Sequence, residues 1–282
     1  QHLASLLGGV TALEAEAQVL ATRNWDNVLY QKMSPRGAKT LGVRLIPYYA
    51  WGNRGDSEMT VWMPLASAGQ DGSMFVLNAG AFKHHVDFFN SMERENIVNH
   101  VPNEQSWTWM RDNVPFFECP DKSFEQVYYY RWWTFRKHLK KTPDGFVFTE
   151  FLDQVGHSGK HNTISCALGH HIYEGSWLRD KRYIDEYARF WYLGHEGGLQ
   201  PHLHKYSNWA TSALYRRYLV DGDRAFLTSL LDAFIADYQG WVQERGTETG
   251  LFWQYDVRDG MEESISGSRK IQNIRPPLHC YM

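Results

Sequence analysis

The apolar positions change period along the chain. Up to about residue 65 they favour extended strands: residues 10–20 alternate loosely, and 43–49 and 59–63 are β-prone runs. Between the last two runs lies Trp51-Gly52-Asn53-Arg54-Gly55-Asp56, whose Gly and Asn suit a turn, so the pair is expected to form a hairpin. Residues 66–72 are small, polar and Gly-rich, the composition of a linker. A boundary placed there gives a β-rich segment at 1–70 and a second domain at 71–282.

Beyond the boundary the period becomes helical. Phe124, Val127, Tyr128, Arg131, Trp132, Phe135 and Leu139 form an i, i+3, i+4 stripe opened by Asp121 as N-cap. Phe226, Leu227, Leu230, Leu231, Phe234, Ile235, Tyr238 and Trp241 form another after Asp223. Weaker helical patterns cover 81–93, 103–112, 160–177, 182–192 and 205–220.

The connections between these helices alternate in length: 142–159 is long, 178–181 short, 194–204 long, 221–222 short and 246–264 long. Antiparallel helices joined in series place successive connections at opposite ends, so the three long loops are expected to share one end. They hold Glu150, Asp153, His157, His195, His202, His204, Asp256, Asp259 and Glu262. Binding and catalytic groups concentrate on loops held by a rigid scaffold, which makes that end the expected site.

Composition narrows the function classes. A formal charge of -3 offers no field to gather phosphate backbones, so neither nucleic acid nor an anionic membrane is an expected partner. No apolar run approaches the roughly eighteen residues of a bilayer span. Cys119, Cys166 and Cys280 lie far apart without CxxC spacing, which indicates neither a zinc cluster nor a disulfide framework. Adjacent pairs such as His84-His85 and His170-His171 point about 100° apart on a helix, and no His-Glu-x-x-His occurs, so no metal or other cofactor is expected. Aromatic residues make up 15% of the chain, more than packing alone usually requires, and such rings also stack on the apolar faces of sugars.

The run Arg131-Trp132-Trp133-Thr134-Phe135-Arg136-Lys137-His138-Leu139-Lys140-Lys141 is basic and aromatic, but its rings fall on the apolar stripe. Its cations are therefore expected on a solvated helix face near the C-terminus.

Four segments carry a family resemblance: Tyr128-Tyr129-Tyr130-Arg131-Trp132-Trp133, Gly159-Lys160-His161-Asn162-Thr163-Ile164-Ser165-Cys166, Gly169-His170-His171, and Arg258-Asp259-Gly260-Met261-Glu262-Glu263-Ser264. With them, residues 79–282 resemble the trehalase-like and mannosylglycerate-hydrolase-like domains related to glycoside hydrolase family 63. The resemblance implies a mainly α fold, part of an (α/α)6 six-hairpin barrel, following a small β-rich N-terminal segment. That segment, through residues 45–63, is similar to the closing β region of the family 127 β-L-arabinofuranosidases, whose catalytic machinery lies upstream of this element.

In the relatives the last of the four segments reads Ser-Gly-Met-Asp or a close variant, and its acidic residue is the general acid of an inverting hydrolysis. Here Gly260-Met261 matches and Glu262 stands in place of the Asp, flanked by Asp259 and Glu263. Glu262 is thus the first expectation for the acid and Asp259 the second. Trp133, His157, His161, Asn162, His171, Trp253 and Glu263 are expected to bind a carbohydrate substrate.

Inverting hydrolysis needs a second carboxylate roughly 6.5–9.5 Å from the acid, to leave room for the attacking water. The relatives carry it in the second half of the barrel. About seven helices are expected after the linker where a closed ring has twelve, so the chain is expected to be a fragment lacking the general base. The alternative is a remnant that binds glycans without catalysis.

Overall fold

The computed structural model describes residues 79–118, 121–260 and 271–274, together with the backbone at 44–46, 58–62 and 74–78. Two compact units emerge: Gln1–Lys137 with Trp177–Arg179 and Leu219–Asp221, and His138–Ser176 with Asp180–Tyr218 and Gly222–Met282. No helix among the described residues is long and apolar enough to cross a membrane.

The first unit holds strands β1 (Arg44–Ile46), β2 (Glu58–Trp62), β3 (Met74–Asn78) and β4 (Phe116–Glu118), with helices α1 (Lys83–Met92), α2 (Ser106–Asn113) and α3 (Lys122–His138), the last up to Lys137. The expected hairpin between the first two runs does not form. Instead β1 pairs antiparallel with β4, Leu45 opposite Phe117, and β2 with β3, Thr60 opposite Val76. A short β-prone run encodes a face and not a partner, so long-range packing chose the pairing. Residues 10–20 and the segment read as a linker lie outside the described residues.

Asp121 does open α3, its carboxylate accepting the Ser123 N–H at 3.0 Å. The buried face is turned, however, from the one its aromatic stripe suggested. Phe124 and Val127 are exposed, while Glu125, Tyr129, Trp133 and Arg136 join Trp132 and Phe135 inside. Partners explain the polar members: Glu125 accepts from His85 Nε2 at 3.0 Å and from Lys122 at 2.8 Å. The Arg136 guanidinium donates to the Val101 carbonyl and to Asn103, and Lys137 pairs with Glu93 at 2.9 Å. Two of the cations assigned to a solvated face are therefore buried, compensated by carboxylates and carbonyls.

The second unit opens with a hairpin, β5 (Leu139–Thr142) and β6 (Gly145–Phe148), which continues into α4 (Ser165–Gly175) and α5 (Arg182–Leu193). It also contains α6 (Ala210–Asp221, up to Tyr218), α7 (Arg224–Ser229), α8 (Leu231–Arg245), and the antiparallel pair β7 (Trp253–Tyr255) and β8 (Gln272–Ile274). Helix α5 is the spine. Tyr183, Ile184, Tyr187, Ala188 and Trp191 bury one face against β6, α4 and α8.

Sharp local signals set the boundaries. Gly222, at φ 70°, ends α6 by returning its N–H to the Tyr218 carbonyl, and Asp223 caps α7 by accepting the Phe226 N–H at 2.9 Å. The stripe expected as one helix breaks at Leu230, and its members divide. Phe226, Leu230 and Trp241 are buried; Leu231, Ile235 and Tyr238 face outward. The described residues thus form a mainly helical, hairpin-built fold with few short strands.

Candidate functional site

The three long loops of the second unit meet. Lys205, in the second loop, donates from Nζ to the carbonyl of His157 in the first at 2.8 Å. Arg258, in the third, donates to the Lys205 carbonyl at 3.3 Å, and its own carbonyl accepts the Ser207 N–H at 2.9 Å. At this junction opens a cleft of about 390 Å³, walled by Phe190 and Trp191 of α5 and by the first two loops. Its size suits a sugar unit or two.

The first loop is shaped by Asn162, whose buried side chain is fully used. Oδ1 accepts from the Val155 N–H at 3.1 Å and from the Ser158 hydroxyl, while Nδ2 donates to the carbonyls of Phe151 at 2.7 Å and Asp153 at 2.8 Å. Its φ of 60° places it in the left-handed region, which Asn tolerates better than most residues. Asn162 therefore builds the loop and presents no free amide to a ligand.

His161 lines the cleft, buried, with Nε2 donating to Asp144 at 2.6 Å, and Lys160 reaches the same carboxylate at 2.9 Å. The His161 bond first, then Lys160, hold the Asp144 carboxyl below the usual carboxylate range. Asp144 stays ionised at neutral pH. His157, His195 and His202 also line the cleft.

The remaining expectations separate. His171 stands one layer behind the wall, its Nδ1 3.3 Å from the Tyr187 hydroxyl, which in turn meets the cleft-lining Thr163 at 3.0 Å. Trp253 is half-buried on β7 with the Arg245 guanidinium over its ring at 4.6 Å and the Tyr255 ring edge-on. Trp133 is a core residue of the first unit, 3% exposed, its indole N–H donating to Asn90 at 2.8 Å and its ring beneath the Lys137 ammonium. It offers no open face for a sugar.

Asp259 follows the short turn Asp256–Arg258 in the third loop, half-buried. Burial raises its carboxyl above the ordinary carboxylate value, and the neighbouring Ser207 hydroxyl opposes only part of that rise. Glu262 and Glu263 lie outside the described residues.

Sequence reasoning passed over Asp144, Lys205, Tyr206 and Arg258. For Asp144 a signal existed: Pro143-Asp144-Gly145 between two apolar runs is turn chemistry, and Gly145 takes φ 104° there. His204 was grouped with the loop histidines, yet it points inward and is buried. Nε2 and Nδ1 stand 2.8 Å from Asp237 and 2.8 Å from Glu244 respectively. Among the described residues no group of three His, Cys, Asp or Glu side chains is placed to hold a metal ion.

Helical hairpins carrying a loop-built cleft define the setting in which comparison with known proteins is read. Residues 160–279 match the mannosylglycerate hydrolase MGH1-like glycoside hydrolase domain, and residues 10–64 match the glycoside hydrolase family 127 C-terminal domain. A solved structure titled "Sialidase" is similar over 73% of this chain at 47% identity with a TM-score of 0.70. The match spans 19% of that structure's own chain. No curated protein matched. Two segments of the chain are thus similar to two different glycoside hydrolase domains.

Proposed function

We propose that the second unit supplies one side of a glycosidase active site, at the cleft where its three long loops meet. The observation that carries the reading is the junction at Lys205, which brings the first and third loops of a glycoside-hydrolase-like segment to one place. The substrate is then an oligo- or polysaccharide.

The reaction is hydrolysis with inversion, in which one carboxyl group protonates the leaving oxygen and another activates water. Glu262 is the expected acid by its place in the segment that resembles the family motif. Asp259, three residues earlier, is the rival, because its burial favours the protonated form an acid needs. Asp144, held ionised by two bases, is unsuited to donate a proton. The general base is proposed to lie outside these 282 residues, in keeping with a chain that spans a minor part of the structure it matches.

A panel of aryl glycosides, with L-arabinofuranosides among them, tests this. The panel is offered to the chain alone, to a form extended beyond Met282, and to Glu262→Gln and Asp259→Asn in each. Cleavage by the extended form that disappears in one of the two variants supports the reading and names the acid. Cleavage that survives both variants removes the acid from this loop. Glycan binding without cleavage in any form makes the unit a binding remnant.

A further inference from the structure

Two cations gather on Tyr206, which together with Lys205 lines the cleft. Arg258 donates to the Lys205 carbonyl, and both cationic heads approach the ring of Tyr206, Lys205 Nζ at 5.4 Å and the Arg258 guanidinium carbon at 5.8 Å from its centre. Neither is ion-paired with a carboxylate among the described residues; the Lys205 ammonium is given to a neutral carbonyl instead. Partial burial and the like charge of Arg258 both depress the Lys205 pKa.

Carboxylates nearby do not relieve this. Asp144, which lines the same cleft, is already shared between His161 and Lys160. Asp259, next in sequence to Arg258, is half-buried, and burial raises its carboxyl above the ordinary carboxylate value with no cation offsetting that rise. The rest of the ionisable lining is imidazole, from His157, His195 and His202. Two cations that share one aromatic ring, beside a cleft of sugar size, match the chemistry of a carboxylated sugar: the cations take the carboxylate, and the ring packs against the sugar beside it.

We propose that this cleft selects an acidic sugar residue, a uronic acid unit of a glycan, with Lys205 and Arg258 holding its carboxylate and Tyr206 supporting its ring. The proposal rests on the glycosidase reading of the same cleft and adds the substrate class to it.

The test is calorimetric titration of the purified chain with digalacturonic acid, with neutral galactobiose, with the methyl ester of the diacid, and with inorganic phosphate. The diacid is expected to bind about tenfold or more tighter than either neutral sugar, and added salt is expected to weaken only the diacid. Lys205→Gln and Arg258→Gln are each expected to weaken the diacid about fivefold or more beyond any loss for galactobiose, while Lys205→Arg retains the preference. A cooperative urea transition shows that the variants fold.

Equal binding of diacid and galactobiose, preference unchanged in Lys205→Gln, no sugar binding at all, or phosphate binding as tightly as the diacid each overturns the proposal. Failure is separable from failure of the hydrolase reading. Cleavage without charge preference sinks only the substrate class, and charge-dependent binding without cleavage sinks only the enzyme.

Discussion

The Nε2 of His204 lies 2.8 Å from a carboxylate oxygen of Asp237, inside the second unit and directly behind the loop that carries Lys205. The other ring nitrogen meets Glu244 at 2.8 Å, and the Asp237 carboxylate also meets the Tyr192 hydroxyl at 3.4 Å. An imidazole bonded at both nitrogens to carboxylates is most stable as the cation. Burial works to lower its pKa, but the two carboxylates outweigh burial and hold it above the ordinary histidine value.

A stability dependence on pH follows. With the folded pKa raised above an unfolded value of about 6.5, the contribution of His204 is fully present below that pH and is lost as pH rises through the folded value. Asp237→Asn removes the stronger partner. The gap in urea midpoint between wild type and Asp237→Asn is expected to be widest in mild acid and to shrink toward alkaline pH. His85, whose pKa burial lowers, acts in the opposite sense, but it is common to both proteins and cancels in the difference. A gap that is constant with pH would contradict the assignment.

Gly240 packs against the same imidazole. A Cβ built there stands 2.4 Å from His204 Cε1, and a ring fixed at both nitrogens has little room to retreat. In an open helix, Gly to Ala stabilises by about 0.5–1 kcal/mol, whereas overpacking a core costs about 1–3 kcal/mol. Overpacking is the larger effect. Gly240→Ala is expected to destabilise by about 1–2 kcal/mol, read from chemical denaturation, and any net stabilisation would show that His204 moves freely.

Asn162 supports a third prediction. Asn162→Ala leaves the donors of Val155 and Ser158 and the carbonyls of Phe151 and Asp153 without their side-chain partner, and puts Ala at a φ of 60°. A loss of about 2–4 kcal/mol is expected. Asn162→Asp is expected to recover only part of it, because a carboxylate keeps the two acceptor contacts but faces two carbonyl oxygens. If the alanine variant is as stable as wild type, the loop does not depend on this residue.

Legibility in the sequence tracked how local each feature is. The caps at Asp121 and Asp223, and the loop-length alternation that foretold the meeting of three loops, rest on short-range chemistry. The partner of β1 rests on contacts with Phe116–Glu118 more than sixty residues away, which a β-prone run does not encode. Helix faces failed where charge was buried: Arg136 was expected on a solvated face because its partner, Val101, is distant in sequence, and the burial of Glu125 depends on the equally distant His85. Of the residues expected to bind substrate, His157 and His161 line the cleft. The Lys205 and Arg258 contacts were not legible, because an isolated cation in a polar loop is ordinary until its neighbours are known.

Asp259 links stability to activity. A carboxyl whose pKa burial raises favours the neutral form in the fold, so its contribution is present below an unfolded value of about 3.9 and is lost as pH rises through the folded value. At neutral pH the ionised, half-buried group is a net cost, and Asp259→Asn, which cannot ionise, is expected to unfold at a higher temperature than wild type. The advantage should fade as pH approaches 4. If Asp259 is also the acid, the same variant loses about 10² to 10⁴ in the rate on a glycoside with a poor leaving group. Higher stability together with lost cleavage is the signature of a group kept for chemistry at the expense of the fold. Higher stability with cleavage retained assigns the acid to Glu262, and unchanged stability shows that the carboxyl is well solvated after all.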